Sequence, residues 1–198
     1  MRTWHSLFGA LSRFRIPPWL YWSPTAVLLA TSFYVPMQIS GRSMQPTLNP
    51  DSSAWRDVGI FDRFRVGLSH DFHRDDIVAL RSPENRDRML VKRIVGVEGD
   101  LVRTLPPYPD SVVRVPPGHV WIEGDEPFYS DDSNRFGPIP AALIDAKLVG
   151  ILWPPNRFGR LTPDVSLAKN GAAYRHAMTL LQKERSRKAR VNSIHIQG

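Results

Sequence analysis

The sequence contains no cysteine. This absence excludes disulfide bonds, catalysis by a thiolate and zinc sites built on cysteine. It leaves the compartment open, because chains without cysteine occur in reducing and oxidising spaces alike. The motifs G-x-S-x-G and H-E-x-x-H are also absent. His70 and His73 lie three residues apart in a polar segment with no third ligand at a convincing spacing, so no metal site is predicted.

The N-terminal quarter has no acidic residue, and the first one in the chain is Asp51. Residues 1–15 carry three arginines, and their apolar side chains recur at helical spacing. This composition is typical of a mitochondrial presequence, and it equally fits a positive flank that orients the following segment.

Over the whole chain, 26 Lys and Arg outnumber 19 Asp and Glu. Such an excess favours an anionic partner, either a membrane surface or a nucleic acid. The basic residues are dispersed except near the C-terminus, and no nucleic-acid recognition motif accompanies them. We therefore expect no nucleic-acid partner.

Charged residues are absent between Ile16 and Gly41. A hydrocarbon core about 30 Å thick needs about 20 helical residues, so this run is long enough for one crossing. Trp19 near one end and Tyr34 near the other resemble interfacial anchors. We predict a transmembrane helix over residues 16–40, with the arginines on its N-terminal side keeping that end inside and the remainder on the opposite face.

Beyond Asp51 the pattern changes to short β-rich runs separated by Gly and Pro turns. Because helices do not alternate with these runs, the sequence predicts a mainly β domain over residues 41–160, with a Pro-rich insertion at about 104–118. Residues 161–198 form a basic tail with an apolar stripe at helical spacing. We predict a helix there, either solvated or in contact with anionic lipid.

A candidate nucleophile, Ser43, lies between the turn at Gly41 and the extended stretch that starts at Pro46. A serine hydroxyl is a weak nucleophile until a neighbouring base removes its proton. Lys92 is the candidate base, in a segment that predicts a strand.

The surroundings of Lys92 in such a strand favour a neutral amine. Leu90 and Ile94 would share its face, since side chains alternate along a strand. Burial lowers the pKa of a lysine, and a change from about 10.4 to about 8 raises the neutral fraction at pH 7 to about a tenth. The alternative is an ordinary strand lysine whose stem reaches out to water.

Three segments in order, residues 39–50, 89–100 and 124–138, resemble the motifs of type I signal peptidases. S-M-x-P-T alone would be a weak signal, but three motifs in the family's order are specific. The resemblance covers about residues 16–160. Within the family, D-S-N-x-F-G-P around Asn134 is most similar to subunit 2 of the mitochondrial inner membrane peptidase. A bacterial-type signal peptidase and the sister mitochondrial subunit are the alternatives.

The resemblance implies a signal-peptidase-like catalytic β domain behind one N-terminal transmembrane helix. It implies a serine endopeptidase that removes hydrophobic sorting peptides from precursors imported into the mitochondrial intermembrane space. The chain would be attached to the inner membrane with its catalytic domain facing that space, without a cofactor, in a heterodimer with a second peptidase subunit. The non-enzyme alternative is a catalytically silent partner subunit.

The resemblance also implies the roles of single residues. Ser43 would be the nucleophile, Lys92 the general base, and Ser130 the residue that orients Lys92. The oxyanion would be supported by the backbone near Gly41 or, in its place, by the Ser40 hydroxyl. The other implied positions are the structural residues Asp125, Asp132 and Ser133 and the substrate-pocket residues Ile39 and Met44.

Overall fold

The computed structural model describes residues 17–50, 56–69, 71–159, 161 and 172–192. The predicted N-terminal segment 1–15 and His70 lie outside the described residues. The chain divides into two compact units, residues 1–33 and residues 34–198.

The first unit contains helix α1, Pro18–Phe33. Pro18 occupies the first turn, where a missing N–H breaks no helical hydrogen bond, and Pro24 lies inside the helix. Its described apolar side chains are largely exposed, as at Leu28. Among the residues that the structure describes, no helix combines the length and the apolar character needed to cross a membrane.

The prediction of one helix over residues 16–40 is wrong at its C-terminal end, because Tyr34–Gln38 form strand β1. β1 pairs antiparallel with β2, Val58–Asp62. Exposure alternates along β1 with the period of a strand, and Met37 packs against the core. An uncharged run satisfies a helix and a half-buried strand alike, so the missing charge could not reveal the change.

The second unit is mainly β, as predicted. Its other main-sheet strands are β3 (Ile77–Arg81), β4 (Met89–Gly96), β7 (His119–Glu123), β8 (Ile139–Pro140) and β9 (Ile144–Trp153). The seven strands are ordered β1-β2-β9-β3-β4-β7-β8, and every neighbouring pair is antiparallel. Two short helices connect them, α2 (Phe64–Ser69) and α3 (Ser133–Phe136).

The Pro-rich region belongs to a second, three-stranded sheet. Its strands are β5 (Leu101–Arg103), β6 (Val112–Arg114) and the C-terminal β10 (Val191–Asn192), ordered β10-β5-β6. Tyr108 from the connecting loop meets Trp121 edge to face, with ring centroids 5.3 Å apart. This small sheet therefore encloses a core of its own around Trp121, which is fully buried.

Side chains of β4 alternate between two hydrophobic clusters of the main sheet. Leu90 and Ile94 belong to one cluster, and Val91 packs against the other. Lys92 therefore shares its strand face with Leu90 and Ile94, as the alternation predicts.

The C-terminal tail contains helix α4, Ala172–Ala189. Ala177 is fully buried, so the helix packs on the β domain along one side. Lys183, Arg187 and Arg190 form ion pairs with acidic residues of that domain. On this side the helix contacts the protein itself, rather than the water or the anionic lipid that the sequence suggested.

Candidate active site

Ser43 lies in the irregular loop after β1, called here the nucleophile loop (residues 39–50). Ile39 and Met44 are both buried in the hydrophobic cluster against which Val91 packs, and they anchor the loop. The Asn49 amide donates to the carbonyl oxygens of Ile39 and Gly41, at 2.9 and 3.3 Å. These contacts close the loop on itself and leave Ser43 half-buried.

The main chain of Ser43 is held by the segment after β7. The Glu126 N–H donates to the Ser43 carbonyl oxygen at 3.0 Å. A Cβ added at Gly124 would lie 2.6 Å from that oxygen and would also collide with the Ser130 side chain, so the approach requires glycine. Within the described residues the Ser43 N–H has no acceptor, which leaves it available as an oxyanion donor.

Lys92 is buried on β4, with 2% of its surface exposed. Its ammonium group donates to Ser130 Oγ at 3.1 Å. Burial lowers the pKa of Lys92 to about 8, against the opposing attraction of Asp132 and other nearby carboxylates. At neutral pH a usable fraction of this amine is therefore neutral and able to accept a proton.

Ser130 is fixed in turn by Asp132. Its hydroxyl donates to Asp132 Oδ2 at 2.5 Å, and the Gly124 N–H donates to the same oxygen at 2.9 Å. The other carboxylate oxygen of Asp132 accepts from the Asn134 N–H at 3.1 Å and caps helix α3. Because Ser130 donates to Asp132, its oxygen accepts from Lys92, and the order Lys92–Ser130–Asp132 orients the amine.

Asp125 forms a second cluster beside the site. Its carboxylate, 1% exposed, accepts two hydrogen bonds from Arg93, at 2.9 and 2.8 Å, and one from the Thr47 hydroxyl. Burial alone would raise the pKa of Asp125, but the hydrogen bonds and charge of Arg93, with Arg187 and Thr47, lower it. Asp125 thus joins the nucleophile loop to β4, next to the candidate base.

The remaining predicted positions lie in different surroundings. Ser133, fully buried, accepts from the Ile122 N–H at 3.0 Å and ties α3 to β7. Ile39 and Met44 pack in the core, which accounts for their apolar side chains without a substrate. Gly41 is exposed and has a φ of +95°, a conformation that favours glycine, while Ser40 is exposed beside it.

The structure brings Ser43, Lys92 and Ser130 together from three separate segments: Gly124 lies against both Ser43 and Ser130, and Ser130 accepts a hydrogen bond from Lys92. A direct hydrogen bond between Ser43 and Lys92 is not among the contacts of the described residues; such bonds often tighten only when substrate is bound. Among the described residues no group of three potential metal ligands comes together.

Sequence reasoning missed three parts of this site. Gly124, at the end of a predicted strand, carried the signal of a close backbone approach, since a strand glycine often marks one. Thr47 lies within the S-M-x-P-T motif, but its hydroxyl donates to Asp125, which is far away in sequence. Arg187 had no local signal, because a basic helix gives no indication of which carboxylate it meets.

Comparisons with known proteins show which family the chain belongs to. The family described as signal peptidase, peptidase S26, matches residues 17–106. Mitochondrial inner membrane protease subunit 2 of Schizosaccharomyces pombe is 46% identical over 143 residues, which are 71% of this chain and 76% of that protein. The proteins of the same name from Danio rerio and Saccharomyces cerevisiae are 43% and 39% identical, over 71% and 70% of this chain and 75% and 78% of their own. The chain therefore belongs to the peptidase S26 family of signal peptidases, among relatives named mitochondrial inner membrane protease subunit 2.

Proposed function

We propose that this chain is a serine endopeptidase that removes signal segments from precursor proteins imported into the mitochondrial intermembrane space. The observation that carries the proposal is the buried Lys92, whose pKa is lowered to about 8 and whose amine is oriented by Ser130. A lysine in this state can act as a general base, and Ser–Lys pairs are a known variant of the serine protease mechanism.

In the first half of the reaction, Ser43 Oγ attacks the scissile carbonyl carbon while neutral Lys92 accepts the hydroxyl proton. The carbonyl oxygen becomes an oxyanion, and the Ser43 N–H donates to it. When the tetrahedral intermediate collapses, the C–N bond breaks and Lys92 returns the proton to the leaving amine. The product is an acyl-enzyme on Ser43 and a free peptide amine.

In the second half, Lys92 takes a proton from a water molecule, whose oxygen attacks the acyl carbon. Collapse releases the carboxylic acid, and the Ser43 oxygen regains its proton from Lys92. Ser130 acts in both halves by holding one N–H of the amine, so that the lone pair points away from Asp132 and toward Ser43. The second oxyanion donor is either the backbone near Gly41 or the Ser40 hydroxyl.

The substrate in this proposal is an extended peptide with small residues just before the cut, paired with strand edges by strand addition. The chain would meet it at the inner membrane, on the side of the intermembrane space. Membrane attachment is supported by the uncharged residues 16–33 and by the exposed apolar side chains of α1. Carbonate extraction of mitochondria tests attachment, and protease protection in swollen mitochondria tests the orientation.

A second peptidase subunit is part of the proposal. Its support is the word subunit in the names of the relatives. Native gel electrophoresis of solubilised membranes tests it, since a heterodimer migrates above the size of this 198-residue chain alone.

The test of the catalytic proposal is processing of a signal-bearing precursor by membranes that carry wild type, Ser43→Ala or Lys92→Ala. Ser82→Ala and Lys147→Ala are the matched controls, because Ser82 is a buried loop serine and Lys147 pairs with Asp76 at 2.7 Å. We expect both site variants to accumulate normally and to cleave nothing, while both controls cleave like wild type. Normal cleavage by Ser43→Ala and Lys92→Ala would reduce the chain to a scaffold for another active site.

A further inference from the structure

Helix α4 carries cations that reach the short segment beside Ser43. Lys183 Nζ donates to the Asp125 carbonyl oxygen at 2.7 Å and to the Glu126 carboxylate at 3.1 Å. Arg187 Nη1 donates to the Asp125 carboxylate at 2.8 Å. All three contacts fall on Asp125 and Glu126, within the segment 124–126 that packs against the nucleophile.

The geometry points to Lys183 and Arg187 as positioning residues for Ser43, a role that rests on the proposed peptidase function. They act by holding residues 124–126 against the nucleophile loop. Within the described part of the chain, neither side chain has a hydrogen bond or an ion pair to Ser43 or Lys92, so neither is assigned a step of the chemistry itself. The C-terminal helix is in this view a part of the active-site support.

The first route of this support passes through the Asp125 carboxylate. Three elements donate to it: Thr47 from the nucleophile loop, Arg93 from β4 and Arg187 from α4. The Arg187 side chain is itself largely buried, at 12% exposure, where ionic hydrogen bonds are stronger than in water. A shift of α4 therefore changes the position of a group that also binds the loop of Ser43 and the neighbour of Lys92.

The second route passes through the main chain of Glu126. Lys183 binds its side chain and the carbonyl of the residue before it, while the Glu126 N–H donates to the Ser43 carbonyl. Displacement of this segment moves the Ser43 main chain, including the N–H proposed for the oxyanion. A misplacement of about 1 Å can cost about 100-fold in rate, so small movements here are sufficient.

The end of α4 is fixed independently. Arg190 donates to both carboxylate oxygens of Glu123, at 2.9 and 2.5 Å, and β10 follows directly and pairs with β5. Loss of Arg187 or Lys183 therefore leaves the helix attached at its C-terminus. Asp125 likewise keeps Arg93 and Thr47, so its charge is not left unpaired.

The experiment compares Arg187→Met and Lys183→Met with Lys188→Met in the full chain, solubilised in detergent, on a precursor substrate. Lys188 is the matched control, because it lies on the same helix, is 61% exposed and pairs with Glu184 one turn away. Urea unfolding monitored by tryptophan fluorescence gives the folded fraction, to which kcat is normalised. Lys183 is 29% exposed and Arg187 is 12% exposed, so Lys183→Met should affect folding less than Arg187→Met.

We expect Arg187→Met and Lys183→Met to lower the normalised kcat by about 10-fold or more, with KM within about two-fold of wild type, because the reacting groups rather than the substrate contacts are displaced. Lys188→Met should match wild type. Arg187→Lys keeps the charge, so it should retain part of the kcat that Arg187→Met loses.

Two results overturn the inference. One is a normalised kcat for both methionine variants equal to that of Lys188→Met; the other is a loss that disappears once kcat is normalised to folded protein. Failure of the proposed function is seen separately, because in that case the Ser43→Ala variant cleaves as well as wild type.

Discussion

Burial of Lys92 reduces the stability of the folded protein, and replacement by methionine measures the reduction. Its pKa is about 8 in the folded chain, against 10.5 for an unperturbed lysine. Between pH 8 and 10.5 the unfolded chain therefore binds more protons than the folded chain, so stability rises with pH across this window. At pH 7 the protonated, desolvated lysine costs about 3 kcal/mol relative to the unfolded state.

Methionine has a similar length and carries no charge, so Lys92→Met removes this cost. It also removes the hydrogen bond to Ser130, which is worth about 1 kcal/mol. We therefore expect the variant to be more stable than wild type by about 2 kcal/mol at pH 7. At pH 10 the lysine is almost entirely neutral in the folded state but only about a quarter neutral in the unfolded state, so the cost of burying it falls to about 0.8 kcal/mol. The lost hydrogen bond to Ser130 offsets most of this cost, and the two proteins should differ by less than about 1 kcal/mol.

The assay is urea unfolding of the full chain in detergent at pH 7 and pH 10, read by tryptophan fluorescence. Other titrating groups contribute equally to the free energy of unfolding of wild type and variant, so their contributions cancel in the difference between the two. Lys147→Met is the control, because Lys147 pairs with Asp76 and its removal should give no gain at either pH. A Lys92→Met variant that is less stable than wild type at pH 7, or a difference unchanged between the two pH values, would refute the reasoning.

Three further predictions concern activity. The pH profile of kcat/KM should rise about ten-fold per unit at low pH and level off near pH 8, because catalysis needs the neutral form of Lys92; a flat profile between pH 6 and 9 would contradict this assignment. Gly124→Ala should abolish processing, since its Cβ would lie 2.6 Å from the Ser43 carbonyl oxygen. Gly67→Ala is the control and should keep its activity, because a Cβ there meets open space and the residue is in helix α2. Ser130→Ala should lower kcat by about 10- to 100-fold with KM little changed, as measured by steady-state kinetics, because it orients the base without touching the substrate; an unchanged kcat would remove Ser130 from the mechanism.

Much of the fold was predictable because its signals are local. The strand around Lys92 follows from a run of β-rich residues, and its two faces follow from the alternation of side chains. The sequence alone therefore predicts that Leu90 and Ile94 share the strand face of Lys92. The end of α1 was not predictable in this way. Tyr34 and its neighbours are uncharged like the helix before them, and their strand depends on β2 as a partner.

The candidate site also has a part that the sequence predicts and a part that it does not. Ser43, Lys92 and Ser130 could be named from motifs, since each lies in a short segment with a characteristic composition. The contacts between segments could not, because they depend on how the sheet arranges distant parts of the chain. Arg187 is the clearest case, since nothing in its own helix indicates that it meets Asp125.

The position of β9 has a consequence for the order in which the protein is assembled. β2 and β3 are neighbours in sequence, but β9 lies between them in the sheet and pairs with both. Pairings between segments so far apart form slowly, because a long loop must close before they contribute stability. The nucleophile loop and the strand of Lys92 are joined through this late strand, so we expect a partly synthesised or partly imported chain to possess both residues without an active site. From this topology we expect the candidate site to assemble only once the chain is present as far as β9, which ends at Trp153.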